Sequence, residues 1–180
     1  MRLFTAINLP ILVKEALKSH QPEKEKGIRL VKEPLMHLTL HFIGDFDTQK
    51  IDAGLKAIDA ESFEITLSGT GRFESAKKGS ILWVGVKQSD ALAQLHQKIA
   101  LCLDKAGVRP DNRAFHPHVT VARCQHRYGE ERVQSFLETK LEPQVVEVKE
   151  FSLFNSECVE GELHYRLLHT YGLKKSLKEN

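Results

Sequence analysis

The stretches MHLTLHFI (36–43) and PHVTVAR (117–123) contain the same short pattern, in which histidine and threonine alternate with apolar residues. Strict alternation of polar and apolar residues predicts a β-strand with its polar side chains on one face. A chain of this length and composition is expected to contain about 0.07 copies of the pattern by chance, so two copies indicate a shared role. The two copies are His37-Leu38-Thr39-Leu40 and His118-Val119-Thr120-Val121.

Each copy of the pattern would place one imidazole and one hydroxyl on the same side of a strand, roughly 6.5–7 Å apart. Two such strands facing each other across a cleft would bring two imidazoles and two hydroxyls around a small volume. That set suits a phosphodiester, because a neutral imidazole can accept a proton from water and a protonated one can donate to the departing oxygen. The hydroxyls can donate hydrogen bonds to the non-bridging phosphate oxygens. The motifs alone do not say which histidine is the acid, since both strands offer the same groups.

The bulk properties predict one domain, or two small lobes that share a core, because the chain has 180 residues, 41% of them hydrophobic and 28% charged. No apolar run of about 18 residues exists, which excludes an ordinary membrane-spanning helix. The opening MRLFTAINLP lacks the features of a signal peptide, so we expect a cytoplasmic protein. Cys102, Cys124 and Cys158 contain no CxxC pair and are interpreted as reduced structural thiols.

Charge is distributed unevenly along the chain. The net charge of +2 is too small to indicate a nucleic-acid-binding protein by itself. One basic stretch nevertheless surrounds the second motif and contains a single acid, Asp111. A solvated basic surface and an anion-binding surface are both consistent with it. Its cations are Lys105, Arg109, Arg113, Arg123 and Arg127.

Predicted strands and helices alternate, and the strands are half polar, which favours an α+β fold with largely antiparallel strands in two lobes. Besides the motif strands (36–43 and 118–122), strands are predicted over residues 2–9, 28–31, 63–73 and 81–86, with a closing hairpin of 145–156 and 163–173 around Glu160-Gly161. Helices are predicted from Pro10 to about His20, from Asp47 or Thr48, from Ser89 or Asp90 to Gly107, and near 129–138.

With these flanks, the sequence resembles the 2H phosphoesterase superfamily, and specifically its RNA 2′,3′-cyclic phosphodiesterases, long called 2′-5′ RNA ligases. The resemblance covers nearly the whole chain and departs at VKEPLM (31–36), where relatives often have Trp or Asn. The similar segments are RLFTAINLP, HLTLHFIGDF, LWVGV, FHPHVTVAR and LFNSECVEGELHYRLLHTYGL.

The resemblance implies a single bilobal domain over residues 1–180, with two mainly antiparallel sheets related by pseudo-two-fold symmetry. The helices would pack outside, and the active-site cleft would lie between the lobes. It also implies opening of a 2′,3′-cyclic phosphate to a 2′-phosphomonoester without metal or cofactor, on RNA ends or small cyclic nucleotides. Separately, we expect a monomer. By the family pattern, His37 donates a proton to the leaving 3′ oxygen, His118 accepts a proton from water, and Thr39 and Thr120 hold the phosphate.

Two further residues, Phe42 and Arg123, occupy family positions that contact the nucleotide, Phe42 by stacking and Arg123 by stacking or charge. Strand parity opposes both assignments, because residue 42 is out of phase with His37 and residue 123 with His118. Either side chain would need a bend or a strand end to turn inward, and core packing is the alternative interpretation of Phe42.

The spacing of His37 and His41 permits a zinc site if this segment were helical. The surrounding LTLHFI is β-like, and positions i and i+4 of a strand lie roughly 13 Å apart, so zinc is disfavoured. We expect His41 to be in phase with His37, at the rim of the cleft. His116 is in phase with His118 unless Pro117 disturbs the strand.

Two alternatives to hydrolysis stay open at the level of sequence. A non-catalytic RNA- or nucleotide-binding module would use the basic stretch and leave the paired imidazoles without a role. Reversible 2′-5′ joining of RNA ends, or cleavage of a 2′-5′ linkage, would need the same two imidazoles. Water at roughly 55 M makes hydrolysis the default direction for general acid-base chemistry.

Overall fold

Strands and helices alternate along the chain in an α+β fold, in a computed structural model that describes residues 2–75, 77, 79–109 and 113–176. Asp111 of the basic stretch lies outside the described residues. The elements are β1 (Arg2–Asn8), α1 (Ile11–Ser19), β2 (Ile28–Leu30), a short 3-10 helix (Glu33–Leu35), β3 (His37–Gly44), α2 (Thr48–Lys56), β4 (Phe63–Ser75), β5 (Gly79–Val86), α3 (Asp90–Lys105), β6 (His118–Cys124), α4 (Glu130–Glu138), β7 (Gln144–Val148), β8 (Glu150–Val159) and β9 (Glu162–Gly172).

The strands form one antiparallel sheet in the order β7-β4-β5-β6-β3-β1-β8-β9, with β2 paired to β6. The motif strands β6 and β3 are neighbours at its centre, with three further strands of this order beyond each of them. Among the described residues, Leu38 and Val119 form the only residue pair that joins β3 to β6. The two predicted sheets are therefore the halves of one sheet that meet at a single point, and the predicted α+β fold is confirmed.

The helices begin where the sequence indicates. The Asp47 side chain accepts a hydrogen bond from the backbone N–H of Gln49 and caps α2, while Ser89 caps α3 in the same way through Leu92. None of the helices in the described part of the chain is long and apolar enough to cross a membrane.

The hydrophobic core lies on one face of the sheet, against the helices. Leu38 and Val119 are fully buried on this face, so the side chains that alternate with them point to the other side. The helices contribute buried residues including Leu17 of α1, Ile51 and Leu55 of α2, and Leu92, Leu95 and Ile99 of α3.

One predicted strand is wrong. Residues 145–156 form two strands, since the chain leaves the ladder at Lys149 and its carbonyl accepts a hydrogen bond from Leu173. As a result β7 pairs with β4 in one half of the sheet, while β8 pairs with β1 and β9 in the other. The predicted β8–β9 hairpin is confirmed, and both residues of its turn, Glu160 and Gly161, have positive φ.

Candidate active site

The two motifs lie side by side on the face of the sheet opposite the helices, here called the motif face. β3 and β6 run antiparallel and are joined by the pair Leu38–Val119, so His37 and Thr39 flank this point on one strand while His118 and Thr120 flank it on the other. The two histidines are close enough for the charge of His118 to contribute to the lowered pKa of His37. Their side chains, like those of the threonines, are half-buried. The structure thus places the four motif side chains on one face of the sheet, around the pair Leu38–Val119.

Both histidines are oriented by a backbone carbonyl two residues before them. Nδ1 of His37 lies 2.7 Å from the Leu35 carbonyl oxygen, and Nδ1 of His118 lies 2.7 Å from that of His116. A carbonyl can only accept, so each Nδ1 carries the proton and each Nε2 bears the lone pair in the neutral ring. At His37 this Nε2 accepts a hydrogen bond of 2.8 Å from the Thr39 hydroxyl. The reactive nitrogen of each ring is therefore Nε2.

The environment keeps both imidazoles neutral at pH 7. Burial lowers the pKa of His37 to about 4, with smaller contributions from the charges of Lys14 and His118, and the Leu35 carbonyl opposes the shift. Burial also lowers the pKa of His118, and the charges of His116 and Arg123 act in the same direction. A proton can be held on one of the rings at neutral pH when an anion lies between them, and a substrate phosphate carries that charge.

Aromatic rings pack against the edges of both imidazoles. The Tyr165 ring meets that of His37 at 5.0 Å and 85°, and the Phe73 ring meets that of His118 at 5.0 Å and 83°. Phe4 also contacts His37, with 5.1 Å between ring centroids. The motifs did not predict that these aromatic residues belong to the site. In the sequence they are simply aromatic residues within β-like segments, and such residues are equally typical of ordinary core packing.

Phe42 reaches the motif face because β3 contains a β-bulge. One extra residue, Leu40, is inserted opposite β1 and shifts the alternation by one, so Phe42 and His37 point the same way. The Phe4 ring, paired with Phe42 across the strands, lies 6.3 Å from Phe42 as well as beside His37. Phe42 is 65% exposed, which contradicts core packing and leaves its ring available to a ligand.

Arg123 reaches the motif face by the same device. β6 has an extra residue, Val121, opposite β5, so Arg123 points to the same side as His118 and Thr120. The objection from strand parity is wrong for both Phe42 and Arg123, because the bulge falls at the fourth residue of each motif.

The bulge also turns His41 away from the site. His41 faces α3, where its Nε2 lies 2.8 Å from the His96 carbonyl oxygen and its ring stacks on that of His96 at 3.9 Å. The expectation of a place at the cleft rim is wrong, and His37 and His41 point to opposite faces, so they cannot share a metal ion. Within the described residues, no three His, Cys, Asp or Glu side chains are arranged to hold a metal. His116 does lie on the motif side, 4.7 Å from the ring of Trp83.

Comparison with known proteins identifies the family. The sequence model of the 2′-5′ RNA ligase superfamily matches residues 14–158 of the chain. The chain belongs to this superfamily. It is a 2H phosphoesterase, as its two motifs indicated.

Several proteins named RNA 2′,3′-cyclic phosphodiesterase are similar to this 2H phosphoesterase. The protein from Escherichia coli is 34% identical over 130 residues, which cover 68% of this chain and 71% of the relative. That from Archaeoglobus fulgidus is 30% identical over 135 residues, 72% of this chain and 76% of the relative. That from Thermotoga maritima is 28% identical over 177 residues, 94% of each protein.

Solved structures of the family share the fold. E. coli LigT in complex with 3′-AMP superposes with a TM-score of 0.80 at 25% identity, covering 96% of this chain and 97% of LigT. A structure from Thermus thermophilus, at 23% identity and a TM-score of 0.76, covers 97% of this chain and 99% of its own and supports the fold alone. The predicted 2H phosphoesterase fold is confirmed.

Proposed function

We propose that this 2H phosphoesterase hydrolyses RNA or nucleoside 2′,3′-cyclic phosphates to 2′-phosphomonoesters by general acid-base catalysis without a metal. The observation that carries the proposal is the pair of Nε2 atoms presented by adjacent antiparallel motif strands on one face of the sheet. The named activity of the relatives from E. coli, A. fulgidus and T. maritima supports the same substrate.

In the proposed reaction, water attacks phosphorus and loses a proton to Nε2 of His118, while the bond to the 3′ oxygen breaks. Nε2 of protonated His37 gives its proton to that oxygen, which leaves as a hydroxyl, and the phosphate stays on the 2′ oxygen. Thr39 and Thr120 donate hydrogen bonds to the non-bridging oxygens. The next turnover requires the proton gained by His118 to be lost and one to be regained by His37.

Because the pKa of His37 is low, the substrate itself must favour protonation of this ring. With a pKa of about 4, about one His37 ring in a thousand is protonated at pH 7. The negative phosphate of the substrate favours the imidazolium and raises this pKa on binding. His37 is thus protonated mainly when the substrate is bound.

Outside the reacting groups, we propose that Phe42 stacks on the nucleotide and that Arg123 binds it by stacking or by charge. We further propose that residues 1–180 form one bilobal domain that works as a monomer in the cytoplasm.

The test uses cytidine 2′,3′-cyclic phosphate and RNA ending in a cyclic phosphate, with EDTA present and with separation of 2′- from 3′-phosphate products. We expect the 2′-phosphate, and a loss of about 10²–10⁴-fold in kcat for His37→Ala or His118→Ala. His164→Ala is the matched control, because His164 is an exposed histidine.

Each alternative has its own outcome in this test. A 3′-phosphate product would overturn the roles of His37 and His118, and loss of activity in EDTA would overturn the metal-free mechanism. RNA binding without any turnover would favour a binding module. Joining of a 5′-hydroxyl end to the cyclic phosphate would show that the same two imidazoles also run 2′-5′ ligation.

A further inference from the structure

A groove adjoins the motif face on the side of β2. Its volume is about 560 Å³, within the range of pockets that hold small organic ligands. Arg123 belongs to both surfaces, since it lines the groove and also points to the same side as His118 and Thr120. The groove is lined by Lys24, Gly27, Ile28, Arg29, Leu30, Arg123, Cys124 and Gln125.

Two cations of this groove repel each other. Arg29 of β2 lies directly opposite Arg123 of β6 in the strand register, and like charges in this relationship destabilise a sheet. Within the described residues, neither of these arginines nor Lys24 forms an ion pair. The neighbouring Arg132, by contrast, is compensated by two glutamates. Two adjacent guanidinium groups that no carboxylate of the described residues pairs with form a site that an anion can complete.

The position of the pair relative to the motifs suggests which anion. Arg123 follows Thr120 by three residues, roughly 7–10 Å along a bulged strand. If the terminal phosphate of a ligand lies at Thr120, the next negative charge of that ligand would therefore lie at the arginine pair. A mononucleotide has no such second charge, whereas an RNA chain has one at each further linkage.

We propose that the groove binds the RNA chain on the 5′ side of the terminal nucleotide, with the first internal phosphodiester held between Arg29 and Arg123. The proposal rests on the proposed function, since a 2′,3′-cyclic phosphate ends a chain that can continue only through the 5′ oxygen. Backbone contacts of this kind carry no base information, so the site selects RNA length rather than sequence.

The test measures binding rather than turnover, so that it stands apart from the chemistry. Fluorescence anisotropy gives the Kd of a 5′-labelled tetranucleotide ending in a 2′-phosphate, and competition gives that of the matching nucleoside 2′-phosphate. In Arg29→Ala the ratio of mononucleotide to tetranucleotide Kd should fall about ten-fold, and the slope of log Kd for the tetranucleotide against log salt should decrease by about 0.7. Arg29→Lys should retain most of the ratio, and Lys50→Ala, which removes an exposed cation of α2, should leave it unchanged.

Three results would overturn the groove assignment. The wild-type protein could bind the tetranucleotide no more tightly than the mononucleotide. Arg29→Ala could weaken both ligands equally, which would place Arg29 at the terminal nucleotide. Polyglutamate could displace the tetranucleotide as well as unlabelled RNA does, which would indicate a general site for acidic polymers. Hydrolysis of cytidine 2′,3′-cyclic phosphate alongside any of these results would support the proposed function and overturn only the groove assignment. Length-dependent binding without hydrolysis would support the groove assignment and overturn the proposed function.

Discussion

The pH dependence of kcat/KM tests the histidine pair most directly. This constant reports ionisations of the free protein, where the pKa of His37 is about 4 and that of His118 lies below the ordinary 6.5. The reaction needs one proton on the pair, on His37, and a neutral His118. Above both pKa values, that singly protonated form declines ten-fold for each pH unit. We therefore expect kcat/KM to fall about 100-fold between pH 6.5 and 8.5.

Lys14 gives a perturbation of the same quantity with a known sign. This buried lysine of α1 is one of the charges that lower the pKa of His37, after burial itself. Lys14→Met removes that charge, so the pKa of His37 should rise and the decline of kcat/KM should begin at higher pH. Lys18→Met, one turn later on the same helix and exposed, is the matched control.

The assay is the initial rate of cyclic phosphate hydrolysis at substrate concentrations well below KM, with NMR titration of the His37 ring as an independent measurement. A value of kcat/KM that is constant or rising from pH 6.5 to 8.5 would refute the requirement for a protonated His37 and a neutral His118. A rise in the His37 pKa in Lys14→Met without any movement of the kinetic profile would separate His37 from the acid role.

Further predictions concern the supports of the site. Gly71→Ala should destabilise the protein by about 1–3 kcal/mol, because its Cβ would overlap the Trp83 ring, whereas Gly172→Ala has open space; thermal unfolding and the fluorescence of this single tryptophan report both. His96→Ala should lower Tm and kcat together, because the His96 ring stacks on that of His41, which follows Leu40, the bulge residue of the first motif. The pKa of His96 is lowered to about 4 by burial, so the unfolded chain binds more protons between pH 6.5 and 4; wild-type stability should drop across this window, and that drop should be smaller in His96→Phe.

Much of the fold was accessible from local sequence because its signals are local. Asp47 and Ser89 satisfy backbone donors only a few residues away, and the apolar stripes they precede become the buried faces of α2 and α3. The alternation of HLTL and HVTV likewise sets the faces of the two motif strands. The family followed from the motifs and their flanks, and the comparisons confirm it.

The sequence could not show where the alternation breaks. A β-bulge exists only between two strands, because it is an excess of one residue relative to a partner. Nothing in HLTLHF distinguishes a regular strand from one with an extra residue at Leu40, and this residue decides whether His41 or Phe42 faces the substrate. The bend at Lys149 is of the same kind, since the alternating pattern continues through it while the pairing partner changes.

The two bulges also show where the two halves of the site differ. Each motif supplies a histidine fixed by a carbonyl two residues earlier, a threonine, a bulge at the fourth residue and a side chain five residues after the histidine. The first three features are the same in both halves, so they cannot tell the acid from the base. The last differs, being Phe42 in one half and Arg123 in the other, and it is placed on the motif face only because both strands bulge. Under the proposed function, a nucleotide that stacks on Phe42 and extends its backbone toward Arg123 can lie across the site in one direction. That direction brings its 3′ oxygen to one particular histidine, and so the orientation of the RNA assigns the acid role to one imidazole and the base role to the other.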